Sequence, residues 1–251
     1  MRRLEVFRVP SNGKVFWFGD THIGSLSFRD DLFEETITMI QKGKGKIKCI
    51  LMGDIFDTIL SGDKRYNVYE QSPEFRIFDE GYAYVRDQLK RIKKHVLGIF
   101  SGNHENSLIK LGINPIAGGL INGERTGLCH ELGCKYLGSE AHIEFRVNKH
   151  RCHVFACHGS TSATTRQGRV RVAKQKLLEN SEVVDSDYDY RSVRGIFMGH
   201  THDTHVEYTQ PHVVPDFKNK KLMYREQFVA LTGCYNETQL NKPTYASKYS
   251  P

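Results

Sequence analysis

No stretch of about 18 apolar residues occurs in the 251-residue chain, so no segment has the length and apolarity of a transmembrane helix. The amino-terminal residues Met1, Arg2, Arg3, Leu4 and Glu5 lack the apolar run of a secretory signal, which makes the cytoplasm the expected compartment. Cysteine is sparse and poorly spaced for a metal knuckle. The six residues Cys49, Cys129, Cys134, Cys152, Cys157 and Cys234 contain no C-x-x-C pair, and Cys152 and Cys157 fall on opposite faces of a strand. Reduced structural thiols follow. No Gly-rich phosphate cradle of the Walker type is present, which argues against nucleotide-driven phosphoryl transfer. Neither an internal repeat nor a low-complexity linker occurs, so residues 1–251 read as a single domain with 236–251 as a loosely attached tail.

What is present is ordinary for a globular protein, 39% hydrophobic and 26% charged residues, and the chain is long enough to bury a core without disulfides or a structural metal. The formal charge of +7 favours anionic partners such as nucleic acid or nucleotides. It serves solubility equally well and selects no substrate.

Short apolar runs alternate with longer amphipathic stretches, the pattern of an α/β fold. Val15–Phe18 ends at Gly19-Asp20, Cys49–Met52 at Gly53-Asp54, and Val96–Phe100 at Ser101-Gly102-Asn103. His153–Cys157 ends at His158, and Ile196–Met198 at Gly199-His200. Five buried strands are thus expected, each delivering polar residues at its carboxyl end. A helix capped by Asp30 or Asp31 is predicted to run through Ile40, with Leu32, Phe33, Thr36, Ile37 and Ile40 on or near one face. A second carries the stripe Phe78, Tyr82, Val85, Leu89 and Ile92 opposite a basic, solvated face, and a third spans about Arg169 to Asn180. His142–Val147 and Arg151–Cys157 read as a hairpin around Asn148-Lys149-His150, and residues 112–133, with six glycines, as a loop or loosely helical insertion.

Taken together, the strand ends supply Asp20, His22, Asp54, Asn103, His158, His200 and His202, with His104 beside them. Carboxylates and imidazoles suit manganese, iron, zinc or nickel. Seven such groups exceed the needs of one ion, so a two-metal site is the natural reading, with the ions about 3.5–4 Å apart and a shared carboxylate between them.

These blocks, Asp20-Thr21-His22, Gly53-Asp54-Ile55-Phe56-Asp57, Gly102-Asn103-His104-Glu105, His158 and Gly199-His200-Thr201-His202, stand in the order seen in the calcineurin-like metallophosphoesterases. The chain resembles that family from residue 20 to residue 202. The resemblance implies a four-layer αββα sandwich, two packed mixed β-sheets flanked by helices, and a hydrolase that cleaves phosphate esters with two divalent ions, manganese first among them. It implies that Asp20, His22 and His202 hold one ion, that Asn103, His158 and His200 hold the other, and that Asp54 bridges them. It also implies His104 as the catalytic acid that protonates the leaving oxygen, with Asp57 fixing its orientation. Water activated by the ions supplies the nucleophile.

The phosphoprotein phosphatase branch of that family continues the second block with Arg-Gly, whereas Thr58-Ile59 follows Asp57 here. A phosphodiesterase acting on nucleic acid (a nuclease) or on nucleotides is the expectation, closest to uncharacterised prokaryotic and phage-type members. A phosphomonoesterase (phosphatase) and a non-catalytic scaffold on the same fold are the alternatives. Ser160 and Arg166, in the polar run after His158, are candidate substrate contacts. The remaining seven of the twelve histidines, including His205, read as surface or packing residues, and Asp185–Asp189 as an exposed acidic turn rather than a calcium loop.

Overall fold

A computed structural model of the chain describes residues 4–59, 62, 66–75, 77–121, 124–160, 162–181, 192–209, 212–216 and 220–236. The first half runs β1 (Leu4–Arg8), β2 (Lys14–Phe18), α1 (Asp30–Lys42), β3 (Ile47–Leu51), α2 (Phe78–Arg91), β4 (Val96–Ile99) and α3 (Asn103–Ile109). A small hairpin, β5 (Leu120–Ile121) and β6 (Glu124–Arg125), leads to α4 (Leu128–Leu132) and β7 (Lys135–Tyr136). There follow β8 (Glu140–Val147), β9 (His150–Cys157), α5 (Arg166–Ser181), β10 (Gly195–Met198), β11 (Thr204–Tyr208), β12 (His212–Asp216), β13 (Lys221–Arg225) and β14 (Phe228–Thr232). Among the described residues no helix is long and apolar enough to cross a membrane.

Two sheets carry the fold. One has the order β2-β3-β4-β7 and is parallel throughout. The other, β1-β8-β9-β10-β14-β11, is mixed, antiparallel at β8–β9 and β14–β11 and parallel elsewhere.

The two-residue period of a strand sorts side chains between cores. On β3, Cys49 and Leu51 join the cluster under α1, α2 and α4, whereas Ile50 and Met52 face the second sheet. On β9, Phe155 and Cys157 pack under α5 against Val170, Ala173 and Leu177, whereas Val154 and Ala156 face inward. The layers therefore run helices, sheet, sheet, helix. Trp17, the only tryptophan, lies between the sheets and stacks on Phe197, with ring centroids 4.0 Å apart and planes 10° apart.

The stripe on α2 packs as its spacing predicts, with Val85, Leu89 and Ile92 fully buried. Its basic face is tied to carboxylates rather than merely solvated, Arg91 to Glu34 at 2.6 Å and Lys90 to Glu131 at 3.4 Å. The β8–β9 hairpin forms as read, Val147 pairing with His150 across Asn148 and Lys149, with Asn148 at φ +54. Cys152 is exposed and Cys157 buried, and all six cysteines are free thiols.

Three readings are corrected. Neither Asp30 nor Asp31 caps α1: both lie inside its first turn, where a carboxylate favours the helix dipole, and the cap position belongs to Arg29. Leu32, 38% exposed, is off the buried face made by Phe33, Thr36, Ile37 and Ile40. Residues 112–133, by sequence a loop or loosely helical insertion, hold the β5–β6 hairpin and α4, and Ile116, Leu128, Cys129 and Leu132 are buried in the helix-side core. The third helix begins earlier than read, at Arg166. The tail beyond Asn236 and the acidic run Asp185–Asp189 lie outside the described residues.

Phe155 is fully buried where β9 meets α5, so Phe155→Ala is expected to lower unfolding stability by about 3–5 kcal/mol. Chemical denaturation followed by Trp17 fluorescence measures this. A loss under about 1 kcal/mol is not what a close-packed contact predicts.

Candidate metal centre

Polar residues leave the carboxyl ends of β2, β3, β4, β9 and β10 and meet at one edge of the two packed sheets. Backbone bonds lock these turns together: the Asp20 amide donates to the Gly53 carbonyl at 2.9 Å and the His22 amide to the Asp54 carbonyl at 3.0 Å. The His200 amide crosses from the other sheet and donates to both Asp20 carboxylate oxygens at 3.0 Å.

Nine described non-glycine residues have positive φ, and five of them are Asp20, His22, Asp54, His200 and His202, at +49°, +47°, +47°, +65° and +54°. Each such conformation costs of order 1–3 kcal/mol, and strain of this kind concentrates at functional sites. Glycine is required at two adjoining positions. A Cβ on Gly102 would fall 2.0 Å from Asp54 Oδ1, and Gly53, at φ +90, would bring one within 2.6 Å of the Gly102 nitrogen.

The side chains form two groups able to hold a metal ion, Asp20 with His22 and His202, and Asp54 with His158 and His200. They adjoin, because Asp54 Oδ2 lies 3.2 Å from His158 Nε2 and 3.8 Å from His22 Nε2. Asn103 Oδ1 is 3.1 Å from His158 Nε2. All seven predicted ligands are therefore brought together. A third group of suitable atoms, His22, Asp57 and His104, overlaps the first through His22.

The donor set suits a cation. The Met52 carbonyl can only accept, so His158 Nδ1 carries a proton toward it at 2.8 Å, and the Nε2 of the neutral ring then faces the Asp54 carboxylate, acceptor against acceptor. His22 Nε2 and His202 Nε2 stand 3.1 Å apart, a contact whose donor and acceptor depend on the tautomer of each ring. A positive charge beside Asp54 removes the conflict there. In the protein alone a proton does this at His158. Burial opposes the imidazolium, but the Asp54 carboxylate outweighs it and pushes His158 up to about 10.

Burial likewise acts to raise Asp54, and His158, His104 and His22 overcome it, holding Asp54 well below the usual carboxylate range. Burial pushes the Asp20 carboxyl up to about 8, opposed by His158 and reinforced by Asp54. Burial also holds His22 well below its ordinary value and pushes His202 down to about 4, so both rings keep lone pairs free, the form in which imidazole ligates metals.

His104 Nδ1 and Asp57 Oδ1 lie 3.2 Å apart and almost fully buried. Burial works against a charged His104, but Asp54 and Asp57 together raise it above the ordinary value. A cavity of about 190 Å³ opens on His22, Asp54, Asn103, His104, His200 and His202.

Ser162, Ala163 and Arg169 form its remaining wall with Thr201, rather than the Ser160 and Arg166 expected as substrate contacts. Ser160 is exposed, and Arg166, half-exposed, is turned to the Asp203 carboxylate at 3.1 Å. Arg169 is buried, its Nη1 3.4 Å from Asp203 and its Nε donating to the Ala163 carbonyl at 3.2 Å. His205 lies on β11 beside Glu207, away from the site.

Sequence reasoning gave Glu105 no role. Its carboxylate, fully buried, accepts from the amides of Asp54, Ile55, Phe56 and Gly102 at 2.7–3.0 Å and so clamps the β3 turn to the start of α3. The one signal was its place three residues after Gly102, where a helix's first-turn glutamate reaches back to the preceding amide. Asp203, which holds both arginines, gave no signal.

No known family model matches the chain, and no curated protein matches it significantly. What fold and site define is an α/β protein of two packed sheets whose strand ends gather His and Asp groups able to hold metal.

Glu105→Gln would set an amide NH₂ against backbone N–H donors, and the expected cost is roughly 2–4 kcal/mol of stability, from lost charge-assisted bonds and an unsatisfied buried donor. Thermal and denaturant unfolding test this, and an unchanged midpoint would contradict the clamp.

Proposed function

We propose that the protein is a dimetal phosphoesterase with the calcineurin-like fold, acting on phosphodiesters of nucleic-acid or nucleotide type. The single observation that carries the reading is Asp54, a buried carboxylate adjoining both ligand groups in the way a bridging ligand must. Asp20, His22 and His202 would hold one ion and Asn103, His158 and His200 the other. When bound, divalent ions, manganese first among the candidates, supply Lewis acidity toward a phosphate and make water a competent nucleophile near neutral pH.

The chain's own residues do the rest. His104 faces the cavity with one nitrogen and Asp57 with the other, so it can hand a proton to the leaving oxygen while the carboxylate keeps its ring oriented. Arg169, held by Asp203 and Ala163, presents a guanidinium at the cavity wall, suited to the non-bridging oxygens of a phosphate. Asp203 fixes its direction. The tight amide network around Asp20, Asp54 and Glu105 keeps these groups in place before any substrate arrives.

Purified protein with Mn²⁺ is expected to hydrolyse bis-p-nitrophenyl phosphate and to lose that activity to chelators. A metal-replete sample inert toward both diester and monoester chromogenic substrates would sink the enzyme reading.

His104→Gln is expected to retain its metal, measured by elemental analysis, while hydrolysis of esters with poor leaving groups falls about 100- to 10,000-fold, as for loss of a general acid. Because His104 also belongs to the third metal-competent group, loss of an ion from this variant would reassign it as a ligand. Asp54→Asn, by contrast, is expected to reduce the content of both ions.

A further inference from the structure

The opposite edge of the molecule has a different chemistry. Since β2, β3 and β4 are parallel and deliver metal-site residues at their carboxyl ends, their amino ends lie together at the far side. The far ends of β8 and β9, and the carboxyl end of β1, lie there as well, because β1 runs parallel to β8 and a five-residue turn joins it to β2. The eight residues of β9, at about 3.3 Å each, put roughly 25 Å between this edge and the metal centre.

The described turns that join β1 to β2, α1 to β3, α2 to β4 and β8 to β9 each carry or adjoin cations. Arg8, Arg146, Lys149 and Arg151 surround a cavity of about 500 Å³ at the end of the six-stranded sheet, with Asn148 contributing a polar wall. Lys14, Lys44, Lys46, Lys93 and Lys94 project from the turns of the four-stranded sheet beside it, and all five are exposed. The carboxylate paired at this edge is Glu144, shared by Arg146 and Arg151. Arg8, Lys149 and these five lysines have no carboxylate partner among the described residues. The acidic run 182–191, which precedes β10 in the chain, lies outside them.

We propose that this basic edge is a docking site for the phosphate backbone of nucleic acid, separate from the metal centre. The cations come from the turns of both sheets, and stacked sheets stand about 10 Å apart, so they are dispersed over a face rather than gathered at one point. None of the exposed large apolar side chains among the described residues falls in residues 9–14, 43–48, 92–95 or 147–151. Interfaces between folded proteins centre on apolar anchors, and these described segments present none. A phosphate backbone needs only dispersed cations and hydrogen-bond donors. The edge tethers a polymer without feeding it into the cavity, and the proposal stands whether or not the metal centre hydrolyses esters.

The test is fluorescence anisotropy of a labelled 20-base-pair DNA duplex with the full chain and no added divalent metal, across a salt series. Binding is expected, with a log–log salt slope that loses about 0.9 for each cation removed. Arg8→Glu/Lys149→Glu and, separately, Lys14→Glu/Lys46→Glu are each expected to weaken binding roughly tenfold or more at 100 mM salt, with unchanged thermal unfolding. Lys110→Glu/Arg171→Glu makes the same change in net charge away from this edge, and an equal loss there would overturn the proposal in favour of general charge attraction. No binding by the wild-type chain overturns it too, as does preference for vesicles of anionic lipid over DNA. Hydrolysis of a small chromogenic ester by the edge variants, measured in parallel with Mn²⁺, reads the metal centre separately.

Discussion

The organising constraint is the burial of negative charge. Asp20 and Asp54 are almost wholly removed from water, and a carboxylate in that position is expensive unless positive charge and hydrogen-bond donors meet it. Donors reach them from three directions: the His200 amide on Asp20, the His104 amide on Asp54, and the ring of His158 against Asp54. These contacts tie the two sheets together at one edge, so the site and the sheet packing are parts of a single arrangement. A bound cation would take over from the proton that His158 otherwise carries against Asp54.

Around that constraint the backbone is bent where L-residues resist bending. Five candidate ligand positions occupy the left-handed region, and Glu105 holds the β3 turn by gathering four amides onto one buried carboxylate. Three apolar clusters supply the stability that offsets this strain, one between the sheets and one on each outer face. Among the described residues the chain separates its chemistry by end, with acidic and imidazole groups at the carboxyl ends of the strands and a cluster of cations at the other.

Much of this was legible in the residues because it depends on local pattern. Short apolar runs placed Val15–Phe18, Cys49–Met52 and His153–Cys157 as strands, and 3.6-residue spacing placed the α2 stripe. The polar residues that terminate each strand marked the groups that the fold gathers, since the carboxyl ends of neighbouring parallel strands must lie side by side. The hairpin at Asn148 followed from its alternating arms.

What the chain alone determined, then, was the set of elements and the residues their ends would present, because both are properties of a few consecutive side chains. The pairing of Arg169 with Asp203, the exclusion of Ser160 and Arg166 from the cavity wall, the clamp at Glu105 and the burial of Ile116, Leu128, Cys129 and Leu132 were decided only by tertiary structure. Each depends on which distant segments lie within about 3–4 Å of one another, a distance that no local spacing encodes.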